Sequence, residues 1–298
     1  MLSILIPVYN FDVIALVSDL EKQCLSCNIP FEIICMDDAS DEAFKVKNKG
    51  LKEVEHLVYK ELPQNIGRSK IRNQLAAMAK YNQLLFLDCD SKTNNPHFIA
   101  NYANQIDGES VIYGGRNYEK EQPSNKATYF RWWYGINRET ISAKKRNEAI
   151  YSHFMTNNFC VPKAVYQRIK LDETIKGYGH EDTLFGIELS QQKVPIIHIE
   201  NPLCHVGLED FETFIDKTEQ GIANLNKLLT SKKTDNSIKL IKALRLVERL
   251  GLSIVAQAYW RKNRACILQK LQKENVNLRW FDLYKLGYLI DLRTQTNP

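Results

Sequence analysis

The chain has 298 residues, 44% of them apolar and 25% charged, with 13 glycines and 9 prolines, a balance that excludes collagen-like, disordered and disulfide-scaffold architectures. That length holds one large α/β domain with an appendage, or two domains of roughly 100–200 residues. The net charge of +5 is uneven, because residues 231–298 carry 14 Lys/Arg against 5 Asp/Glu while residues 1–230 carry 26 against 30, so the two parts have different partners or jobs.

Short apolar runs at Leu2–Pro7, Phe31–Met36, Val54–Tyr59, Leu84–Leu87 and Val111–Tyr113 alternate with amphipathic stretches such as Val13–Leu25 and Ser69–Tyr81. This spacing predicts βαβ units and a parallel, doubly wound sheet whose ligand lies at the carboxyl ends of the strands. Residues 115–150 are polar, aromatic and basic without a period, and predict a long functional loop region with a helix at Ala127–Tyr134. A further strand is expected at Pro195–Ile199. Phe211, Phe214, Ile215, Ile222, Leu225 and Leu229 then mark one face of a helix, and periodic stretches at Ile238–Ala258 and Ala265–Glu274 follow.

Seven scattered cysteines fit reduced thiols in the cytosol. Cys24 and Cys27 form a CxxC without a second pair, which reads as structural rather than as a zinc site. The N-terminal run lacks a basic flank and turns polar quickly, so no signal peptide is expected and a cytoplasmic location is. The best candidate for a spanning helix, Leu244–Trp260, is interrupted by Arg245, Glu248 and Arg249.

Four clusters carry chemistry. Asp88-Cys89-Asp90 follows an apolar run, where two carboxylates can hold a hard divalent cation or simply close a turn. Asp37-Asp38 ends the second strand, placed to accept bonds from a nucleotide or to cap the next helix. Gly177-Tyr178-Gly179-His180-Glu181-Asp182 puts an acidic pair in the first turn of a helix, where a carboxylate stays ionised and can serve as a general base or simply complement the helix N-terminus. His205 suits a manganese-like ion or a structural role, and His198 reads as core or sheet surface.

In order, Ser3–Asn10, Met36–Ser40, Asn65–Asn73, Phe86–Asp90 and Gly179–Asp182 resemble the signature of glycosyltransferase family 2. The resemblance implies a GT-A type α/β fold, a mostly parallel Rossmann-like sheet with a helical C-terminal extension. The catalytic domain then spans 1–210, with a nucleotide-sugar half at about 1–115 and an acceptor half at about 116–210, and the extension spans 211–298. The Gly-Tyr-Gly-His-Glu-Asp segment with His205 is also similar to the acceptor-side motif of galactosyltransferases of this fold, which commonly carry Trp at the position of Tyr178.

The resemblance assigns Pro7, Val8, Tyr9 and Asp38 to the nucleoside, Asn65, Gly67, Arg68 and Arg72 to the segment closing over it, and Asp88 to the ribose or donor sugar. Asp90 and His205 take a divalent metal, Mn2+ or Mg2+. Asp182 is the base and Glu181 orients the acceptor. The implied reaction is inverting transfer from a nucleotide-diphosphate sugar, UDP favoured, to a glycan or lipid-linked acceptor in bacterial surface polysaccharide synthesis. The rivals are a nucleotidyltransferase, which should carry a Gly-rich basic loop after the first strand, and a non-catalytic glycan-binding protein, which should have lost Asp90, Asp182 or His205.

Trp132, Trp133 and Asn158 are further candidates for acceptor contact, with core packing and turn formation as the alternatives. For the basic segment 231–298 three uses stay open. Cations interleaved with Trp260, Trp280, Tyr284 and Tyr288 can rest on an anionic membrane at the inner face of the cell. They can instead form a bundle on the catalytic domain or on a second protomer. Nucleic-acid binding ranks below both, since no nucleic-acid motif accompanies the charge.

Overall fold

Each apolar run of the N-terminal half is bounded by turn residues and has the near-continuous apolar character that a strand needs when both faces are covered. In the computed structural model, which describes residues 1–175, 177–231 and 238–296, the chain begins β1 (Leu2–Val8), α1 (Ile14–Ser26), β2 (Phe31–Asp37), α2 (Glu42–Asn48), β3 (Leu57–Glu61), α3 (Arg68–Met78) and β4 (Gln83–Leu87). It continues through β5 (Ser91–Thr93), α4 (Phe98–Ala103), β6 (Val111–Tyr113), β7 (Arg116–Asn117), α5 (Tyr129–Tyr134) and α6 (Ala143–Arg146). Then come β8 (Asn158–Pro162), α7 (Lys163–Arg168), α8 (Glu181–Gln191), β9 (Ile196–His198) and β10 (Leu203–His205). Four helices follow: α9 (Phe211–Thr230), α10 (Lys239–Arg249), α11 (Ser253–Leu271) and α12 (Arg279–Thr296).

The main sheet has seven strands in the order β3-β2-β1-β4-β8-β6-β9. It is parallel except at β8, which runs antiparallel to β4 and β6. Strand order reverses between β1 and β4, so their carboxyl ends open the crevice in which such sheets bind ligands. Side chains alternate across the sheet. Leu5, Ile34, Phe86 and Phe159 enter one core, and Leu2, Ile4, Ile6 and Ile33 enter the other.

A second sheet, β5-β10-β7, lies at the end of β4. Its register sets His205 opposite Ser91, one residue beyond Asp90.

The chain divides into two compact units. One comprises Met1–Lys120, Arg138–Thr174 and Glu181–Gly207, and contains both sheets. The other comprises Glu121–Asn137, Ile175–His180 and Leu208–Pro298. The reason Glu121–Asn137 groups with the C-terminal helices is aromatic: Phe130 on α5 packs against Phe211, Phe214 and Phe281.

The periodic stretch Ile238–Ala258 is two helices, because Gly251 turns the chain with φ +68°. The stretch beginning at Ala265 is the second half of α11, and α12 falls within the C-terminal region expected to be helical, where no periodic stretch was singled out. Strand β3 starts at Leu57 rather than Val54, after a 3-10 turn at Lys49–Glu53. All seven cysteines are free thiols, and burial pushes the Cys24 thiol up to about 12.

Within the second unit, Gly287 on α12 touches Trp260 on α11. A Cβ at Gly287 would sit 1.9 Å from the indole Cδ1 and 2.3 Å from Cγ. Trp260 is 4% exposed and has no room to swing away. Gly287→Ala is therefore expected to cost about 1–3 kcal/mol despite alanine's better helix propensity, read as a lower urea midpoint with an unchanged slope.

Candidate active site

β4 ends at Leu87, and the chain turns through Asp88, Cys89 and Asp90 before β5. Because β5 pairs with β10, the Asp90 carboxylate faces His205, with Oδ1 3.4 Å from the imidazole Nδ1. Asp90 Oδ1 and both ring nitrogens of His205 have no hydrogen-bond partner among the described residues. Buried polar atoms are rarely left so, which makes these three atoms candidates for holding a ligand. Burial opposes ionisation of Asp90, yet His205, Arg116 and Arg68 outweigh it and hold the carboxyl below the usual range.

Glycine at 207 is required here. A Cβ there would lie 2.5 Å from Asp90 Cβ, and Val206 and Gly207 both donate backbone N–H groups to Asp90 O. One carboxylate and one imidazole fit a Mn2+- or Mg2+-type ion that takes its remaining ligands from phosphate oxygens and water. Among the described residues no group of three or more His, Cys, Asp or Glu is gathered for a metal. Asp90 and His205 are therefore the two side chains that could hold such an ion here.

Asp88 is held differently. Arg72 Nη2 reaches its Oδ1 at 2.5 Å and Arg116 Nη2 its Oδ2 at 3.1 Å, and both guanidiniums are buried. Glu139 lies 3.5 Å from Arg116 Nη1 and accepts from the Tyr118 hydroxyl, while the Tyr118 ring meets the His205 ring edge-on at 5.5 Å. Arg72 Nε and Arg116 Nε stay unpartnered among the described residues. Two buried cations beside the Asp-Cys-Asp turn make a field suited to a diphosphate.

Arg116, Glu139 and Tyr118 were not among the residues singled out from sequence. The signal available was Gly114-Gly115, directly after an apolar strand. Gly115 has φ +97° and packs on Arg146, where a Cβ would lie 2.5 Å from Nη1.

The remaining nucleotide-side candidates line the carboxyl ends of β1 and β2. Val8 is buried, Pro7 half-buried, and Tyr9 53% exposed. Asp38 accepts the backbone N–H groups of Ile66 at 2.7 Å and Gly67 at 3.1 Å. It thereby ties the exposed Asn65 loop to β2 and sets Gly67, φ +87°, at the start of α3. Burial raises the Asp38 carboxyl despite these bonds.

α8 opens with Glu181 and Asp182. Glu181 is 5% exposed and accepts from Arg68 Nε at 2.7 Å, so Arg68 faces the acidic pair. Burial opposes the Glu181 charge, but Arg68 prevails and lowers its carboxyl. Asp182 goes the other way. Burial and then the Glu181 charge push it up to about 6, although Thr183 donates its backbone N–H to Oδ1 at 2.6 Å. Arg68 contacts Glu181, and its charge also favours ionisation of Asp90 and Asp182.

The acceptor candidates separate. Asn158 is wholly buried, and its amide donates to Gly115 O and Asn201 O while accepting from the Tyr102 hydroxyl. With every polar atom satisfied inside the core, it is a strut rather than an acceptor contact. Trp132 and Trp133 belong to the second unit, where Trp132 is 8% exposed and Trp133 donates to Val276 O at 2.9 Å. Packing, not sugar stacking, accounts for Trp133. Tyr178 and Gly179 also lie in the second unit, with Lys217 over the Tyr178 ring and Gly179 close to Gly221. His198 is core, as read from sequence.

Among solved structures, S. aureus TarS 1-349 is similar with a TM-score of 0.51 at 19% identity, over 100% of this chain and 92% of that one. The same protein in complex with UDP scores 0.50 at 18% identity, over 100% and 92%. The mannosyltransferase PcManGT from Pyrobaculum calidifontis, in complex with GDP-Man and Mn2+, scores 0.60 at 13% identity, over 99% and 86%. This likeness establishes the GT-A fold. No curated protein matches the chain. The model of glycosyl transferase family 2 matches residues 3–160, taking in Asp38, Arg68, Arg72, Asp88 and Asp90. Covering more than half of the sequence, it establishes that the chain belongs to glycosyltransferase family 2.

Proposed function

We propose that the chain is an inverting, metal-dependent glycosyltransferase that moves a hexose or N-acetylhexosamine from a UDP-sugar to a hydroxyl of a glycan or lipid-linked acceptor. The observation that carries this reading is the Asp90–His205 pair, whose facing atoms lie 3.4 Å apart and make no hydrogen bond among the described residues. UDP is favoured over GDP by the sequence resemblance, and TarS binds UDP whereas PcManGT binds GDP-Man. The Gly-Tyr-Gly-His-Glu-Asp segment is the acceptor-side motif, with Tyr178 in the place that galactosyltransferases commonly give to Trp. A role in surface polysaccharide synthesis follows from the same resemblance.

Asp182 takes the proton of the acceptor hydroxyl as that oxygen forms its bond to C1. The bond from C1 to the phosphate oxygen breaks, and its electron pair leaves with the nucleoside diphosphate. Attack from the opposite face inverts the anomeric carbon. A base with a pKa near 6 is ionised at neutral pH and still accepts a proton readily. Arg68 and Glu181 position it. Arg72 and Arg116, both anchored by Asp88, set positive charge beside the leaving group. A divalent ion bound at Asp90 and His205 supplies further neutralisation of the diphosphate.

The test is thermal stability of the purified protein with UDP, GDP, CDP or ADP, each with and without manganese. Binding to the folded state stabilises by about 2.7 kcal/mol at a hundredfold excess over Kd. A manganese-dependent shift with UDP is the expected result. No shift with any nucleotide in a well-folded sample transfers weight to a glycan-binding protein that has kept the fold.

A further inference from the structure

Helices α10 and α11 of the second unit meet at a fixed turn. Gly251 N–H donates to Glu248 O at 3.0 Å and Leu252 N–H to Val247 O at 3.1 Å, which is a Schellman end with its left-handed glycine. Around it Leu246, Leu250, Leu252, Ile254, Val255 and Tyr259 are 46–77% exposed. These are six of the 14 exposed large apolar side chains, within less than a twentieth of the chain.

Their spacing is regular. Leu246 and Leu250 stand one turn apart on α10, as do Val255 and Tyr259 on α11, so each helix shows one outward apolar stripe. The inward stripes are separate: Ile241, Leu244, Trp260, Ile267 and Leu271 are buried. For the aromatics of this region, where membrane contact and bundle packing were both open, packing accounts for two. Trp260 and Tyr284 are core, and Lys270 stacks over a half-buried Trp280.

The charge on this knuckle has one sign. Residues 239–271 contain eight Lys/Arg and a single carboxylate, Glu248. Arg245, Arg261 and Arg264 are paired with Glu248, Asp291 and Glu219. Lys239, Lys242, Arg249 and Lys262 are exposed and make no ion pair among the described residues. Lys232 and Lys233 lie outside those residues.

We propose that the α10–α11 knuckle docks on the surface of an anionic lipid bilayer. Its apolar side chains enter the acyl boundary while the unpaired cations meet the headgroups. A second copy is the poorer partner, because a like-on-like contact there sets the same uncompensated cations against each other. No helix among the described residues is long and apolar enough to cross a membrane, so the contact is peripheral. It does not depend on the donor or acceptor assigned above.

The test uses the full chain and sedimentation with vesicles of equimolar phosphatidylcholine and phosphatidylglycerol, against vesicles of phosphatidylcholine alone. Binding is expected on the anionic vesicles only, weakening as salt rises from about 0.1 M to about 1 M and the screening length falls from about 10 Å to about 3 Å. Ile254→Glu with Val255→Glu, and separately Lys242→Gln with Arg249→Gln and Lys262→Gln, should each lower the vesicle partition at least about tenfold. All five positions are at the surface, and an unchanged melting curve checks the fold. Equal recovery on both vesicle types overturns the proposal, as does recovery unaffected by either variant. A parent that proves oligomeric, with variants that dissociate it while vesicle binding persists, also overturns it and makes the knuckle an interface between copies.

Discussion

Asp182→Asn is expected to lower kcat by about 10²–10⁴-fold while leaving UDP affinity nearly unchanged. The asparagine keeps an oxygen to accept from the Thr183 N–H, so the first turn of α8 survives and only proton acceptance is lost. Stability gives an independent sign. Folding raises the Asp182 carboxyl to about 6 through burial and the Glu181 charge, so the native state binds its proton more tightly than the unfolded chain does. Stability is therefore lost as pH rises from the ordinary carboxyl value through about 6. The uncharged variant escapes that loss, and its melting temperature at neutral pH should equal or exceed the parent's. In the parent, kcat should climb with pH through an apparent pKa near 6 and then level off. A variant that keeps the full rate, or a profile flat across that range, removes Asp182 from the role of base.

Asp90→Ala should abolish the manganese dependence of UDP affinity and lower turnover by at least about 10³-fold, since a bound ion supplies several kcal/mol of charge stabilisation. The comparison that makes this sharp is Asp88→Ala. Asp90 lies beside His205 with its side chain 31% exposed, so its removal takes away a candidate metal ligand and leaves the Arg72–Asp88–Arg116 group in place. Asp88 is the shared anion of two buried guanidiniums, and deleting it takes the carboxylate from Arg72 and leaves Arg116 only Glu139 among the described residues, a loss of about 3–5 kcal/mol. Two carboxylates of one short motif should thus fail in different assays, Asp90→Ala in metal titration and Asp88→Ala in thermal melting. Calorimetric titration of UDP with and without manganese, alongside melting curves, separates them. Retained manganese dependence in Asp90→Ala would move the ion elsewhere.

Strands β1, β2, β3, β4 and β6 were readable because each contains a short apolar run closed by polar turn residues, the composition that strands of a covered sheet favour; the polar β5 was not. The Asp-rich strand ends were equally visible, since ligands of such sheets gather at carboxyl edges. What stayed hidden depends on contacts distant in sequence. Arg116 and Glu139 sit in a stretch without a period, and only the pairing of β7 with β10 brings Arg116 to Asp88. Asn158 follows a polar pair in a way that suggests a sugar contact, yet its three core bonds come from Tyr102, Gly115 and Asn201. Trp133 looks available in sequence because its partner Val276 is far along the chain. The Gly251 break was missed because one glycine within an amphipathic run is tolerated by a helix as often as it ends one.

The short β5–β10 ladder bears on how the enzyme comes into being. Asp90 and His205 are more than a hundred residues apart, and Glu181 and Asp182 also lie beyond the stretch that identifies the family. During N- to C-terminal synthesis the nucleotide-side strands β1 to β4 can pair long before β10 leaves the ribosome. A nascent chain at that stage has the Asp-Cys-Asp turn but neither His205 nor the proposed base, Asp182. Closing that long loop is a late and entropically costly step, so competence for transfer is acquired last. A fragment ending at residue 160 would carry the family's signature without its chemistry.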